Sequence, residues 1–252
     1  MEFPAGSKKI YPTLVVPRNV NPSRFYAFPV IGGFVKLLLL IPGLILLFVL
    51  SIVWQVTVLI NVFVVLFTGR YWRFSFEVCD FYNKYSLKTS LYFLGVTNKH
   101  PGFSSKISGN FSITIPFPTN PNRLYAFPVL GFVVRFIIMI PFMLWSGIVY
   151  YGYIFLSVVS SLPVLLKGYF PESTHELIVD GLRLGFSANL FFAGISDTLP
   201  SYKISMNHKV IKIIALTIGL IYLLYSIATD PDTNRYNKYP NQSPSSEKPY
   251  SS

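Results

Sequence analysis

The sequence predicts an all-α integral membrane protein: two tandem helical-hairpin repeats, each followed by an amphipathic interfacial helix, and a C-terminal transmembrane helix. Three observations predict it. First, Asn21-Pro22-Ser23-Arg24-Phe25-Tyr26-Ala27-Phe28-Pro29-Val30 returns as Asn120-Pro121-Asn122-Arg123-Leu124-Tyr125-Ala126-Phe127-Pro128-Val129. The spacing of 99 residues continues without a gap, aligning Pro17 with Pro116, Pro42 with Pro141, Gly69 with Gly168, Glu77 with Glu176, Gly95 with Gly194 and Pro101 with Pro200. Self-similarity at a fixed spacing is the mark of a duplicated unit. Second, the apolar runs 30–67 and 129–166 hold one charge each, Lys36 and Arg135, and a third run, 210–229, holds only Lys212. About 20 apolar residues cross a bilayer. Third, 12% of the 252 residues are charged and 52% are hydrophobic, against about 25% charged in a soluble domain.

Residues 1–20 form a polar, Pro-rich leader. Leu14-Val15-Val16-Pro17 aligns with Ile113-Thr114-Ile115-Pro116, so a short extended piece opens each repeat; its prolines keep it from being a central strand. The first apolar run follows this leader, is too long for a removed signal peptide, and has no small-residue cleavage site behind it.

Repeat one takes in residues 21–104, with a helical hairpin over 24–67. Asn21-Pro22 supplies turn and cap chemistry, and Pro29 suits a first helical turn, where its missing N–H costs nothing. Pro42 falls inside the apolar run. A proline in a helix interior costs about 3 kcal/mol, which predicts a break there and a return helix behind it. A single kinked helix is the competing reading, but 38 residues at about 1.5 Å each would overshoot the hydrocarbon core nearly twofold. The amphipathic helix spans 73–97: Glu77, Asp80, Lys84 and Lys88 fall on one arc, and Phe74, Val78, Tyr82, Tyr85 and Phe93 on another. Such a helix lies in the interface with its aromatics at headgroup depth.

After a linker at 105–119, repeat two covers 120–203, with its hairpin at 123–166 and its amphipathic helix at 172–196. Glycines 181, 185 and 194 weaken that last helix. Residues 204–229 carry the C-terminal transmembrane helix. The tail, 230–252, is rich in Asn, Ser, Pro and Tyr with no apolar period, and is expected to be disordered.

The formal charge is +11, and the tail contributes none of it. In a membrane protein this bears on topology and anionic lipid, not on nucleic acid. The basic residues flank both hairpins, so the positive-inside rule predicts a multi-pass protein of the cytoplasmic membrane, with N-terminus and amphipathic helices cytoplasmic. Cys79 is the sole cysteine, which excludes an intramolecular disulfide.

Phe67-Thr68-Gly69-Arg70-Tyr71 closing the long helix, then the amphipathic helix, then Leu94-Gly95-Val96-Thr97-Asn98-Lys99-His100-Pro101-Gly102-Phe103-Ser104 resembles a prokaryotic membrane family known as domain of unknown function 4389. The family pattern is a helix ending in a proline, a second helix ending in F-T-G-R-Y-P, and an exit reading T-D-x-Y-P-P-F. The resemblance covers both repeats and implies tandem copies, membrane residence and a prokaryotic host; it implies no chemistry. Trp72 stands for the usual Pro, Asn98 for Asp and His100 for Tyr. Repeat two keeps Gly168, Pro171 and Asp197, but has Tyr169 in place of Arg and Leu199-Pro200-Ser201-Tyr202 at the exit.

Catalytic patterns are absent. His100, His175 and His208 are scattered outside the apolar runs, and no H-x-x-E-H, C-x-x-C or G-x-S-x-G is present. No cofactor or metal is expected. The expected function is therefore a non-enzymatic, membrane-embedded interaction or assembly component. Its partners would be the bilayer, including anionic lipids, and other membrane proteins. Arg24, Lys36, Arg70, Arg123 and Arg135 are the candidate lipid-headgroup contacts, with Lys36 and Arg135 snorkelling from the first helices. The alternative is a small channel or transporter whose polar helix residues (Ser51, Gln55, Thr57, Asn61, Ser146, Ser157, Ser160, Ser161) line a path; interhelical hydrogen bonding is their default role.

Overall fold

A computed structural model describes residues 13–18, 22–28, 31–104, 112–119, 121–127, 129–197, 199–205 and 207–229. Most of the expected leader, part of the linker and the whole tail lie outside these residues. In chain order the elements are β1 (Thr13–Val15), a 3-10 turn (Phe25–Ala27), α1 (Ile31–Thr68), α2 (Arg73–Phe93), β2 (Ser112–Thr114), a second 3-10 turn (Arg123–Ala126), α3 (Leu130–Val159), α4 (Ser161–Lys167), α5 (Glu172–Phe192) and α6 (Lys209–Ala228). The molecule is mostly helical. Among the described residues, three stretches are long and apolar enough to cross a membrane: α1, α3 with α4, and α6. That is the makeup of a multi-pass membrane protein.

The hairpins expected within 24–67 and 123–166 do not form. α1 passes through Pro42 as one helix of 38 residues, and α3 passes through Pro141. The interruption in the second segment falls at Ser160, just before Pro163. Proline frees carbonyls in the preceding turn, and in an apolar setting these must find partners inside the protein. At Pro42 one such partner is in place: His100 Nε2 lies 3.0 Å from the Leu39 carbonyl. The Gly102 N–H donates to His100 Nδ1 at 3.1 Å, so Nε2 is the nitrogen that carries the proton.

The hairpin that does form is α1 with α2. They run antiparallel along nearly the full length of α2, so α2 clamps α1 on both sides of Pro42. The Trp72 N–H donates to Asn61 Oδ1 at 2.8 Å, Ser75 Oγ donates to the Thr57 carbonyl at 3.2 Å, and Tyr82 stacks on Trp54 at 4.9 Å. Beyond the proline, Lys36 lies over the Tyr92 ring at 5.9 Å. α1 buries one stripe towards this partner, among others Lys36, Leu40, Gly43, Thr57, Asn61 and Val65. These are steps of three, four or fourteen residues, one face of a helix. Its other faces expose Phe34, Ile45, Phe48, Leu59 and Phe67, a continuous apolar surface that a soluble monomer does not present. At about 57 Å, α1 exceeds the hydrocarbon core of about 30 Å, so it tilts strongly or carries much of its length beyond that core.

α2 and α5 begin where the sequence places them and end four residues earlier. Both ends have the same cause. Gly95 and Gly194 adopt φ of +78° and +73°. The N–H of Val96 bonds the Leu91 carbonyl, the N–H of Ile195 bonds that of Leu190, and each glycine N–H reaches back three residues, to Tyr92 or Phe191. This is the Schellman stop, which favours glycine at the left-handed position. The expected outward aromatic arc of α2 is only partly seen. Phe74 and Phe93 are exposed, but Tyr82 stacks on α1 and Tyr85 is buried, donating to the Gly102 carbonyl at 3.0 Å. Of the acidic and basic arc, the Arg73–Glu77 pair at 3.2 Å is exposed, while the Asp80–Lys84 pair at 2.6 Å is half-buried.

β1 and β2 pair with each other, antiparallel, with Leu14 opposite Ile113, Thr13 opposite Thr114 and Val15 opposite Ser112. Leu14 and Ile113 are 99 residues apart. Exchanging the two segments therefore maps this ladder onto itself.

α6 lies antiparallel on α3, a contact with no counterpart on α1. Their backbones meet closely: a Cβ on Gly219 would collide with the Ile148 carbonyl, and one on Gly152 would sit 2.9 Å from the Ala215 carbonyl. Small residues at such a seam let apolar helices approach to full dispersion contact. The positions on α1 aligned with Gly147 and Gly152 are Phe48 and Val53, and these side chains keep a helix away.

Candidate functional site

The two aligned segments hold each other through their turns. Within each, the side chain at the exit fixes the opening turn: the Ser23 N–H donates to Asn98 Oδ1 at 3.2 Å, and the Asn122 N–H to Asp197 Oδ2 at 2.9 Å. Between them the exchange is reciprocal. The Arg24 guanidinium lies over Gly168 and the Arg123 guanidinium over Gly69; these are the glycines that end α4 and α1. The carbonyls left over at the ends of α2 and α5 are also capped crosswise. Ser157 Oγ donates to the Leu94 carbonyl at 3.0 Å, and Tyr71 Oη to the Ala193 carbonyl at 2.9 Å. Helix-end carbonyls need such partners, and here each comes from the opposite segment.

This exchange leaves two cavities at the seam, and their walls correspond at the 99-residue spacing. One, about 320 Å³, is lined by Tyr26, Lys36, Asn98, Ser157, Ser160 and Phe170 among others. The other, about 580 Å³, is lined by Gln55, Asn61, Asn122, Arg135, Ala193 and Gly194 among others. Lys36 and Arg135 occupy the same place in each. Both are buried, at 6% and 5% exposure, and neither snorkels outward. Lys36 is drawn in beneath the C-terminal end of α2 and Arg135 beneath that of α5, where the helix dipole favours a cation.

Their partners differ. Arg135 Nη2 pairs with Asp197 at 3.0 Å, Arg135 Nη1 donates to the Phe191 carbonyl, and the guanidinium lies 5.1 Å over the Phe191 ring. Lys36 has the rings of Tyr26 and Tyr92 at 5.7 and 5.9 Å. No carboxylate lies within ion-pair distance of it among the described residues; the residue aligned with Asp197 is Asn98.

Of the five candidate headgroup contacts, the structure thus places Lys36 and Arg135 at the inner walls of the two cavities. Arg24 and Arg123 cross the seam, and Arg70 is exposed, its N–H donating to Thr68 Oγ1 at 3.1 Å. Of the eight polar residues considered for a path, three bond nearby backbone: Ser51 donates to Phe48, Thr57 to Trp54 and Ser146 to Met143, while Asn61 holds Trp72.

A third buried cation was not legible. Lys212 is fully buried; its amine meets Glu176 at 2.6 Å and the Ser205 carbonyl at 2.7 Å. Asp180 is buried too and accepts the Ser205 N–H at 2.6 Å. Glu77 aligns with Glu176, but only the second segment has α6 beside it, so the duplication gave no hint of this pair. Burial opposes the ionised form of Glu176, yet hydrogen bonds from Asn207 and Lys212 and the Lys212 charge leave its carboxyl below the usual range.

Elsewhere, burial pushes the Cys79 thiol up to about 12, which suppresses its nucleophilic form. Burial also raises the Tyr71 phenol and lowers the His175 imidazole, against a smaller opposing pull from the Pro17 carbonyl. Among the described residues, no group of three or more His, Cys, Asp or Glu is placed to hold a metal.

No curated protein matches the chain, and no solved structure does. Residues 32–105, which run from the start of α1 through the turn after α2 and include Lys36, Gly95 and Asn98, match the family described as Domain of unknown function (DUF4389).

Proposed function

We propose that the protein is a non-enzymatic, multi-pass component of the cytoplasmic membrane of a prokaryote. It consists of two copies of one unit arranged about a local twofold axis, and acts as an interaction or assembly component by organising lipid and neighbouring membrane proteins. The observation that carries this reading is the pair of corresponding cavities at the seam, each with a buried cation at its inner wall and exposed apolar residues at its rim. A positive charge set behind apolar walls suits an amphiphile more than a water-soluble metabolite. The bare apolar faces of α1 and α3 supply the lipid contact. Under the positive-inside rule the N-terminus and the charged arcs of α2 and α5 face the cytoplasm.

The test is twofold. Cross-linking in native membranes followed by identification of co-purifying lipids and proteins should return specific companions, and purified protein in liposomes should turn over no substrate. Labelling of Lys84 and Lys88 from the outer face alone would sink the topology.

A channel or transporter remains the second reading, favoured by one observation. A groove of about 440 Å³ between α2 and α5 is lined by Asn83, Ser86, Ser90, Ser146 and Asn189, and α2 and α5 contribute aligned positions to it. Ion or solute flux in liposomes that is abolished by Ser86→Leu with Ser90→Leu would select that reading.

A further inference from the structure

We propose that the Lys36 cavity binds the phosphate of an acidic phospholipid, and that the corresponding Arg135 cavity does not, because Asp197 already occupies the cation there. This deepens the membrane-embedded reading above and rests on it.

The three buried cations make the comparison. Arg135 and Lys212 each have a carboxylate, at 3.0 and 2.6 Å. Lys36 is buried like them, yet among the described residues it meets two aromatic rings and no carboxylate. A buried ion without a counter-ion is strongly disfavoured, and the tyrosine faces compensate for part of that cost. An anion entering the cavity would supply the rest.

The walls suit this occupant. The Lys36 amine and the Ser161 hydroxyl are hydrogen-bond donors on its lining, whereas Glu and Asp are absent from that lining. About 320 Å³ admits a phosphate with its glycerol. The rim residues Phe28, Phe93 and Val158 are exposed and apolar, so acyl chains can leave directly into the bilayer. Lys36 is in the second turn of α1, close to the aromatic Phe25–Phe28 turn, the depth at which aromatic belts and phosphates coincide.

The difference between the cavities rests on a single position. Asp197 accepts the Asn122 N–H and pairs with Arg135; Asn98 accepts the Ser23 N–H and brings no charge. Asn98→Asp would therefore keep the turn and place an internal anion beside Lys36. Asp197→Asn would keep its turn and release Arg135.

The full chain is reconstituted in phosphatidylcholine nanodiscs with and without phosphatidylglycerol, and retained lipid is counted by native mass spectrometry. The wild type is expected to retain one phosphatidylglycerol. Lys36→Met and Asn98→Asp should each lower that retention by roughly tenfold, the effect of about 1.4 kcal/mol. Asp197→Asn should gain a second phosphatidylglycerol. Thermal unfolding of Asn98→Asp, unchanged, would show that the loss is not misfolding. Equal retention in the wild type and both depleting variants overturns the proposal, as does a wild type that binds inorganic phosphate but no phosphatidylglycerol. If those lipid arms fail while the protein still resists alkaline extraction from membranes, the site alone falls; if it is extracted, the membrane reading falls with it.

Discussion

Arg123 lies against Gly69, the residue that ends the other segment's long helix, and Arg24 lies against Gly168 in the same way. The contact needs glycine twice over. Gly69 has φ of +69°, which costs a side-chain-bearing residue roughly 1–2 kcal/mol, and a Cβ there would collide with the guanidinium.

Gly69→Ala is therefore expected to destabilise the protein by the backbone strain, roughly 1–2 kcal/mol, plus the loss of the Arg123 contact as its exposed guanidinium moves aside. Gly102→Ala is the control, because its φ is also positive, +61°, but a Cβ there meets nothing. Thermal unfolding in detergent should rank Gly69→Ala well below Gly102→Ala. Equal losses would show that Arg123 does not close the seam.

The Lys212–Glu176 pair fixes α6 to α5. Replacing Glu176 by Gln leaves the fully buried amine with neutral partners only, which by analogy with other buried pairs costs about 3–5 kcal/mol. Adding Lys212→Met to Glu176→Gln should recover most of it, since the uncompensated charge is then gone. Chemical denaturation of the three variants checks the sign of the coupling. An additive double variant would mean that the two side chains do not interact.

The α3–α6 seam depends on close backbone approach. A Gly219→Leu side chain has no room against Ile148 and Gly152 and should push α6 away. A cysteine pair placed at Tyr151 and Tyr222, whose rings are 4.9 Å apart, should be joined by a bifunctional thiol cross-linker readily in the parent and poorly with Gly219→Leu. Gly33→Leu, where a Cβ meets nothing, should leave the cross-link intact.

Acid should weaken the fold through His175. Its imidazole, ordinarily near 6.5, is lowered in the folded protein chiefly by burial. Below about 6.5 the unfolded chain binds a proton that the folded one resists, so the unfolded state gains. Stability is expected to be full above the ordinary value and to fall as pH drops through it towards the lowered one. His175→Gln should flatten that part of the pH profile of the unfolding midpoint. An unchanged slope would assign the acid sensitivity to another group.

Some of this molecule is written plainly in its residues. The 99-residue correspondence, the three apolar stretches and the starts of α2 and α5 all follow from local pattern, because periodicity and turn chemistry act over a few residues at a time. Gly95 and Gly194 show the limit of such reading. They look like weaknesses in a helix, but they stop it, and that is visible only when the carbonyls of Leu91 and Leu190 find their donors.

Tertiary structure decided the rest. Pro42 predicts a break by its local chemistry, but α2 packs along both sides of it and His100, 58 residues on, lies at hydrogen-bond distance from the Leu39 carbonyl, so one long helix results. Composition identified Lys36, Arg135 and Lys212 as the rare charges of their apolar runs. Arg135 and Lys212 have counter-ions 62 and 36 positions away, and Lys36 has none among the described residues. Hydrophobic periodicity fixes which face of a helix is buried; it does not fix which charge another element delivers to that face. That is why the sequence determined where this chain meets apolar surroundings, and only the packed structure separated the compensated Arg135 from the uncompensated Lys36.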